Sequence, residues 1–346
     1  MSFLLLLAVG LSIFVMVRLM NIVQLAAELS GENEEAEMQR DNKINGLLLI
    51  AFMVGGLGMM IYMTLRYNQF MLPVAASEHG VETDNLLNWN FAVIGLVFFI
   101  TEIALFWFAY KYRYSKERRA YFYPDNHKLE LIWTIIPTIV LSALIVTGLA
   151  SWNKITQSNN TDGMKVEVYG EQFKWTIRYA GKDNKLGASN FRLITADNHL
   201  GINYKDTASA DDIMTSLNEM HLPVGIPVDM AFHAREVLHS AYFPHFRTQM
   251  NCVPGMTTVF YFKPTITTEE MRKITKNDKF DYVLLCNKVC GVSHYKMNMK
   301  VVVESPEDFK KWLKTQKPVI ETPAANTKIA ADTNSSPVET KQVALK

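Results

Sequence analysis

Four apolar runs crowd the first 151 residues of this 346-residue chain, at 3–25, 44–65, 91–110 and 131–151, and none follows Trp152. A helix needs about 20 mostly apolar residues to cross the hydrocarbon layer of a bilayer. Each run is therefore expected to span a membrane, and the chain after Trp152 to lie outside it. A mean hydropathy of +0.02 is then an average over unlike parts. Arg18 interrupts the first run seven residues from its end, where a long side chain can snorkel to the interface. The first run lacks a basic leader and is too long for a signal-peptide core, so it is expected to be retained.

Orientation follows from the basic residues. The loop 111–128 holds Lys111, Arg113, Lys116, Arg118, Arg119 and Lys128, whereas the loop 66–90 holds only Arg66. Basic loops stay cytoplasmic, which places 111–128 inside and the region after Trp152 outside. Over the whole chain 35 Lys and Arg balance 34 Asp and Glu, which excludes a strongly basic nucleic-acid binder. Three cysteines are too few for a disulfide-stapled scaffold, and an odd number leaves one unpaired.

The outer part reads as all-β. Segments 164–170, 173–179, 227–234, 237–243, 257–262, 282–285 and 300–303 are short, rich in Val, Ile, Tyr and Phe, and bounded by Gly, Pro and Asn. Such a series argues a sandwich or barrel. Ser305-Pro306-Glu307-Asp308 has an N-cap, a first-turn proline and two first-turn acids, and predicts a short helix to about Lys314. The tail 317–346 has no periodicity and is expected to be disordered.

The chemistry concentrates in Cys286-Asn287-Lys288-Val289-Cys290-Gly291-Val292-Ser293-His294-Tyr295-Lys296-Met297. Two thiols, an imidazole and a thioether suit copper or zinc. A structural zinc site wants a second ligand pair, which the sequence lacks. Haem attachment needs Cys-x-x-Cys-His, also absent. A Cys286–Cys290 disulfide would leave His294 and Met297 idle. A copper site needs a further imidazole, and among eight His residues the one in a β-type stretch shaped like a ligand loop is His239, in Glu236-Val237-Leu238-His239-Ser240.

Val-Leu-His-Ser followed about 45 residues later by Cys-x3-Cys-x3-His-x2-Met resembles the copper A site of cytochrome c oxidase subunit II. The resemblance covers roughly residues 90–316. It implies a transmembrane hairpin and a cupredoxin-like outer domain, so the fold expected is an α-helical membrane anchor of four transmembrane helices plus an all-β cupredoxin-like domain. The implied division is 1–70 for two extra N-terminal spans, 71–152 for the hairpin, 153–316 for the copper A domain and 317–346 for the tail. Carried over, Cys286 and Cys290 bridge two copper ions, His239 and His294 bind one each, and Met297 and the carbonyl of Lys288 are weak ligands. Two shared thiolates spread one electron over both ions, and a rigid β-frame keeps the ligands fixed in both redox states.

Three features depart from the family. The family loop resembles Cys-Ser-Glu-x-Cys, whose Glu holds a Mg²⁺ shared with subunit I. Here Lys288 stands there, and Mg²⁺ wants oxygen ligands, so either no Mg²⁺ or the Lys288 ammonium in its place is expected. The family stretch Gly-His-Gln-Trp-x-Trp is here Gly170-Glu171-Gln172-Phe173-Lys174-Trp175. The usual electron-input Trp is Phe173, and Trp175 survives, as an input residue or as packing. The two leading spans are extra, and packing against neighbouring subunits is the plain reading of them. The leftover thiol, Cys252, is expected to be a buried small hydrophobe.

Glu130, in Lys128-Leu129-Glu130-Leu131-Ile132-Trp133, resembles the family acid at the cytoplasmic mouth of a proton path. An acid is also favoured at a helix N-terminus whatever its role. Glu102 is a second membrane acid, expected to bond a neighbouring helix. The resemblance implies an electron-accepting oxidase subunit in a bacterial inner membrane, multi-pass, with its copper domain periplasmic. Its partners would be oxidase subunits I and III, membrane lipid, and a cytochrome c or a cytochrome c domain of another respiratory complex. Haem and CuB would lie in subunit I, where O₂ is reduced with proton pumping. A copper A subunit of a nitric oxide reductase and a membrane-tethered one-copper protein are the alternatives.

Overall fold

The computed structural model describes residues 2–30, 34–157, 163–215 and 219–319. The tail expected to be disordered therefore lies outside the described residues from 320 onward. By internal packing the chain divides into two units, Met1–Met71 with Ala92–Leu131, and Leu72–Phe91 with the residues from Ile132 onward.

Four helices stand where four spans are expected: α1 (Ser2–Ser30), α2 (Glu34–Tyr67), α3 (Glu78–Lys111) and α4 (His127–Thr156). The stretches Ala36–Phe70, Glu78–Lys111 and His127–Thr156 are long and apolar enough to cross a membrane, while the apolar stretch Gly10–Ala26 of α1 is shorter. In the first unit α2 meets α3 through Phe52 and Phe106, whose ring centroids are 5.9 Å apart. Gly46 makes room there for the Tyr110 ring.

The second unit holds a β-sandwich. Its strands are β1 (Met164–Glu171), β2 (Lys174–Tyr179), β3 (Ile213–Thr215), β4 (Glu219–Pro223), β5 (Val228–Ala234), β6 (His239–Phe243), β7 (Thr248–Cys252), β8 (Thr258–Phe262), β9 (Tyr282–Cys286) and β10 (Asn298–Glu304). One sheet runs β3-β2-β1-β5-β8 and the other β4-β10-β9-β6-β7. β1 pairs with β5, and β10 with β4, in parallel. The expectation of a β-sandwich or barrel for the outer part is met. Alternation along β1 turns Val166 and Val168 inward, where with Ile177, Met230, Phe232 and Phe260 they meet Leu222, Leu284 and Val301 in one buried core. Each such side chain contributes roughly 1.5–3 kcal/mol of burial.

The structure corrects the strand list in detail. Among the described residues ten strands form where seven are expected, and β3, β4 and β7 are new. Phe173 lies in the turn between β1 and β2, because Glu171 pairs with Lys174 and the reversal uses the two residues between. Val237 and Leu238 precede β6 rather than belonging to it. A helix α5 (Thr268–Thr275) is also new; the Thr267 and Glu270 side chains cap it reciprocally. The final helix, α6 (Pro306–Thr315), forms as expected, with Ser305 accepting from the Asp308 amide. Its Trp312 stacks on His221 at 4.0 Å.

The outward face of the first sheet is charged and yet buried. Glu167 and Arg178 form an ion pair at 2.5 Å, and Arg178 also reaches Asp212 at 2.9 Å and the Gly187 carbonyl at 2.9 Å. His233 approaches Glu167 at 3.0 Å. Burial alone would raise the Glu167 pKa, but the His233 hydrogen bond and the Arg178 charge outweigh it and hold the carboxyl at about 2. Glu167 therefore supplies stability above the usual carboxylate range that is lost as pH falls from about 4.5 toward 2. Glu167→Ala should cost about 1–3 kcal/mol by removing one of the two carboxylates that pair with the buried Arg178, leaving it Asp212 and the Gly187 carbonyl. Thermal melts from pH 5 to pH 2.5 should fall more steeply for the wild-type protein than for the variant, and parallel slopes would refute the assignment.

Candidate metal centre

The centre is made by adjacency of strands. β6 pairs with β9 so that Ala241 faces Cys286, which brings the first residue of β6, His239, beside the last residue of β9. His239 Nδ1 lies 3.8 Å from Cys286 Sγ. β9 then pairs with β10, Leu285 facing Asn298, and the Cys286 amide donates to the Met297 carbonyl at 3.1 Å. This closes the segment between the two strands into a loop. Its thiols face one another, Sγ to Sγ 3.9 Å, and neither is in a disulfide. Cys290 Sγ lies 3.6 Å from His294 Nδ1 and 3.8 Å from Met297 Sδ. The Cys286 thiol donates to the Lys288 carbonyl at 3.2 Å.

The ligating atoms of His239, Cys286 and Cys290 all lie within 4.8 Å of one another. His294, Met297 and the Lys288 carbonyl complete the group, so the six residues singled out in the sequence converge. The Lys288 side chain itself is exposed. His239 is fully buried, and its Nε2 has no hydrogen-bond partner among the described residues. Burial holds its imidazole below its usual pKa; Glu236 opposes this and His294 adds to it. This favours the neutral ring, the form that ligates metals. Burial and the facing Cys286 push the Cys290 thiol up to about 11, so metal uptake there must release a proton. Two thiols, two imidazoles and a thioether, poised with one buried imidazole nitrogen unpartnered, fit soft copper better than a hard ion.

The remaining residues fall at different distances. Trp175 is 3% exposed and meets the His239 ring edge-on at 6.0 Å. Phe173 is half-buried against Gly291. Glu130 is not part of the cluster; it lies in the first turn of α4, 3.1 Å from His127 Nδ1. Cys252 is fully buried opposite His239 in the β6–β7 ladder, and burial raises its thiol to about 12.

Sequence reasoning missed the surroundings of these residues. Glu171 is buried at the end of β1, 3.0 Å from Arg235 and 2.9 Å from Lys174. A Cβ on Gly170 would stand 3.1 Å from the rings of both His239 and Trp175. Alternation marks Gly170 as an inward position of β1, and that was the available signal.

Comparison with known proteins agrees with this geometry. The family model described as cytochrome c oxidase subunit II, transmembrane domain, matches residues 65–153, and that of the subunit II periplasmic domain matches residues 164–305. The alternative cytochrome c oxidase subunit 2 of Bradyrhizobium diazoefficiens is 32% identical over 252 residues, 73% of this chain and 86% of that protein. The chain belongs to the cytochrome c oxidase subunit II family. Cytochrome c oxidase subunit 2 of Thermostichus vulcanus is 23% identical over 299 residues, 80% of this chain and 84% of that protein. The crystal structure of the periplasmic domain of subunit II from Bradyrhizobium japonicum aligns at 18% identity with a TM-score of 0.30, covering 46% of this chain and 96% of that one. As a subunit II, the chain is a component of a haem-copper oxidase, an oxidoreductase. It is a membrane protein with a periplasmic domain, and copper A binding is what its family implies.

For this subunit II, Gly170→Ala should press on the His239 ring. Overpacking there should cost about 1–3 kcal/mol, read as a lowered melting temperature of the purified protein. A melt equal to wild type would mean the contact is looser than 3.1 Å implies.

Proposed function

We propose that this chain is the electron-accepting subunit of a terminal oxidase. It receives electrons singly from a cytochrome c, or from a cytochrome c domain of another respiratory complex, and hands them to haem in subunit I. There haem and CuB reduce O₂ with proton pumping. The observation that carries this reading is the convergence of His239, Cys286 and Cys290 within 4.8 Å, with His294 and Met297 beside the Cys290 thiol.

In this reading Cys286, Cys290, His239 and His294 would hold two copper ions, with Met297 and the Lys288 carbonyl as weak ligands, and the copper would supply reversible one-electron transfer. The residues of the chain do the rest. His239 opens β6 and Cys286 closes β9, so these two ligands sit on strand ends, while the pairing of β9 with β10 ties both ends of the loop that carries Lys288, Cys290, His294 and Met297. Trp175, edge-on to His239 and shielded from solvent, joins the cluster to the β1–β2 turn, and Phe173 beside it is the more accessible aromatic for an arriving donor. Lys288 offers no oxygen from its side chain, so a shared Mg²⁺ is not part of this proposal.

The same reading assigns 71–152 to the membrane hairpin, 1–70 to two further spans packed against neighbouring subunits, 153–316 to the copper A domain and 317–346 to a tail. Subunit III and membrane lipid are its other partners, and a bacterial inner membrane its location. Glu130, at the start of α4, serves the cytoplasmic mouth of a proton path.

Copper analysis and electron paramagnetic resonance of the purified complex test the core of the proposal. Two copper ions per chain sharing one unpaired electron are expected. Cys286→Ser and Cys290→Ser should abolish that signature, while Met297→Leu should keep both ions and shift the reduction potential. One copper per chain, or an ordinary single-ion spectrum, would overturn the reading.

The accessory roles have their own readouts. Phe173→Ala and Trp175→Ala should slow turnover with the native donor while copper content holds, and Glu130→Gln should slow proton uptake. Any of the three that matches wild type is removed from its proposed route.

A further inference from the structure

The β1–β2 turn touches both halves of the metal cluster at once. On one side Gly170 lies against the His239 ring, and the Gly170 carbonyl accepts from the Arg235 amide at 3.0 Å. On the other side the Gln172 side-chain amide donates to the carbonyl of Cys290. Gln172 is itself fixed, because its backbone N–H donates to Glu236 Oε1 at 2.6 Å. Glu236 belongs to the segment that leads into His239. Three pieces of chain that are remote in sequence are therefore tied at one point: the turn, the approach to His239, and the thiol loop.

The fit between turn and loop requires Gly291. Its φ is +142°, a backbone conformation that side-chain-bearing residues rarely adopt. A Cβ there would stand 2.8 Å from Gln172 Nε2 and 2.8 Å from the Phe173 ring. Gln172 and Phe173 thus occupy the space that a side chain at 291 would fill. The loop needs such a brace: Asn287, Lys288, Val289 and Gly291 are exposed, and only Cys290 among them is buried.

We propose, on the copper reading above, that Gln172 is a positioning residue for Cys290 and that Glu236 holds Gln172 in place to do it. The pair acts as a bracket that sets the spacing of the two thiols to each other and to His239 before any metal binds. Orienting partners of metal ligands commonly influence affinity and redox behaviour. This bracket acts through the main chain of a ligand rather than through its sulfur.

The test uses the full chain in its purified complex and four variants. Gln172→Leu removes the donor without adding charge. Glu236→Ala removes the anchor, whereas Glu236→Gln keeps an oxygen that can accept from the Gln172 amide. Gly291→Ala closes the socket. In chelator-stripped protein, alkylation of Cys290 should run about fivefold faster in Gln172→Leu and Glu236→Ala, the effect of one lost hydrogen bond. Glu236→Gln should stay within about twofold of wild type on the same scale. After copper loading, the first two variants should show an altered hyperfine pattern, and Gly291→Ala should show the same change. Wild-type alkylation rates and spectra in Gln172→Leu would overturn the proposal, as would equal damage from Glu236→Gln and Glu236→Ala. A wild-type chain that bound one copper would sink the copper A reading, yet the stripped-protein rates would still decide the role of Gln172.

Discussion

Pairing of β6 with β9 is the constraint on which the centre depends. Ala241 opposite Cys286 fixes where His239 and the first thiol meet, and β9 with β10 then decides how tightly the intervening loop must close. A strand register is costly to change, since a slip of one residue exchanges buried and exposed faces along its whole length. The ligand geometry therefore inherits the stability of the core: His239 and Cys286 cannot part without unpicking a sheet that buries Leu284, Tyr282 and Ala241.

The same economy appears on the opposite sheet. Its outward face carries Glu167, Arg178, Asp212 and His233, which water would normally cover. Here they are shielded by the excursion between β2 and β3, which packs Leu200 and Ile202 on Tyr169. Buried charges are tolerable only where each finds partners, and the guanidinium of Arg178 finds two carboxylates and a carbonyl. The excursion is thus held to the sheet by directional contacts as well as by a small apolar cluster.

The thiol loop was legible in the sequence because its donors are local: four of them fall within twelve residues, and chemistry restricts what such a set can hold. His239 could be picked out by its β-type stretch and by resemblance, but nothing in its neighbourhood says that β6 lies beside β9. The missed strands are those whose composition hides them. β7 is Thr-Gln-Met-Asn-Cys, β4 carries a Glu and ends on Pro, and β3 is three residues long. Their partners, not their propensities, make them strands. α5 was missed for a different reason, because Thr267 and Glu270 spell a capping box that could have been read directly. Gln172 and Glu236 could not have been found, since each acts through a backbone group whose neighbour is set by the fold.

Strand β1 has one consequence that reaches beyond its own sheet. It begins seven residues after the last residue of α4 described as helical, excluding Met164 itself from the gap, and ends at Glu171 beside the metal cluster. Eight extended residues at about 3.3 Å each cover roughly 26 Å. The strand is therefore a ruler, and its length is one of the things that decides how far the centre stands from the helix that precedes it. Because inward and outward residues alternate, that ruler can be lengthened or shortened only in steps of two.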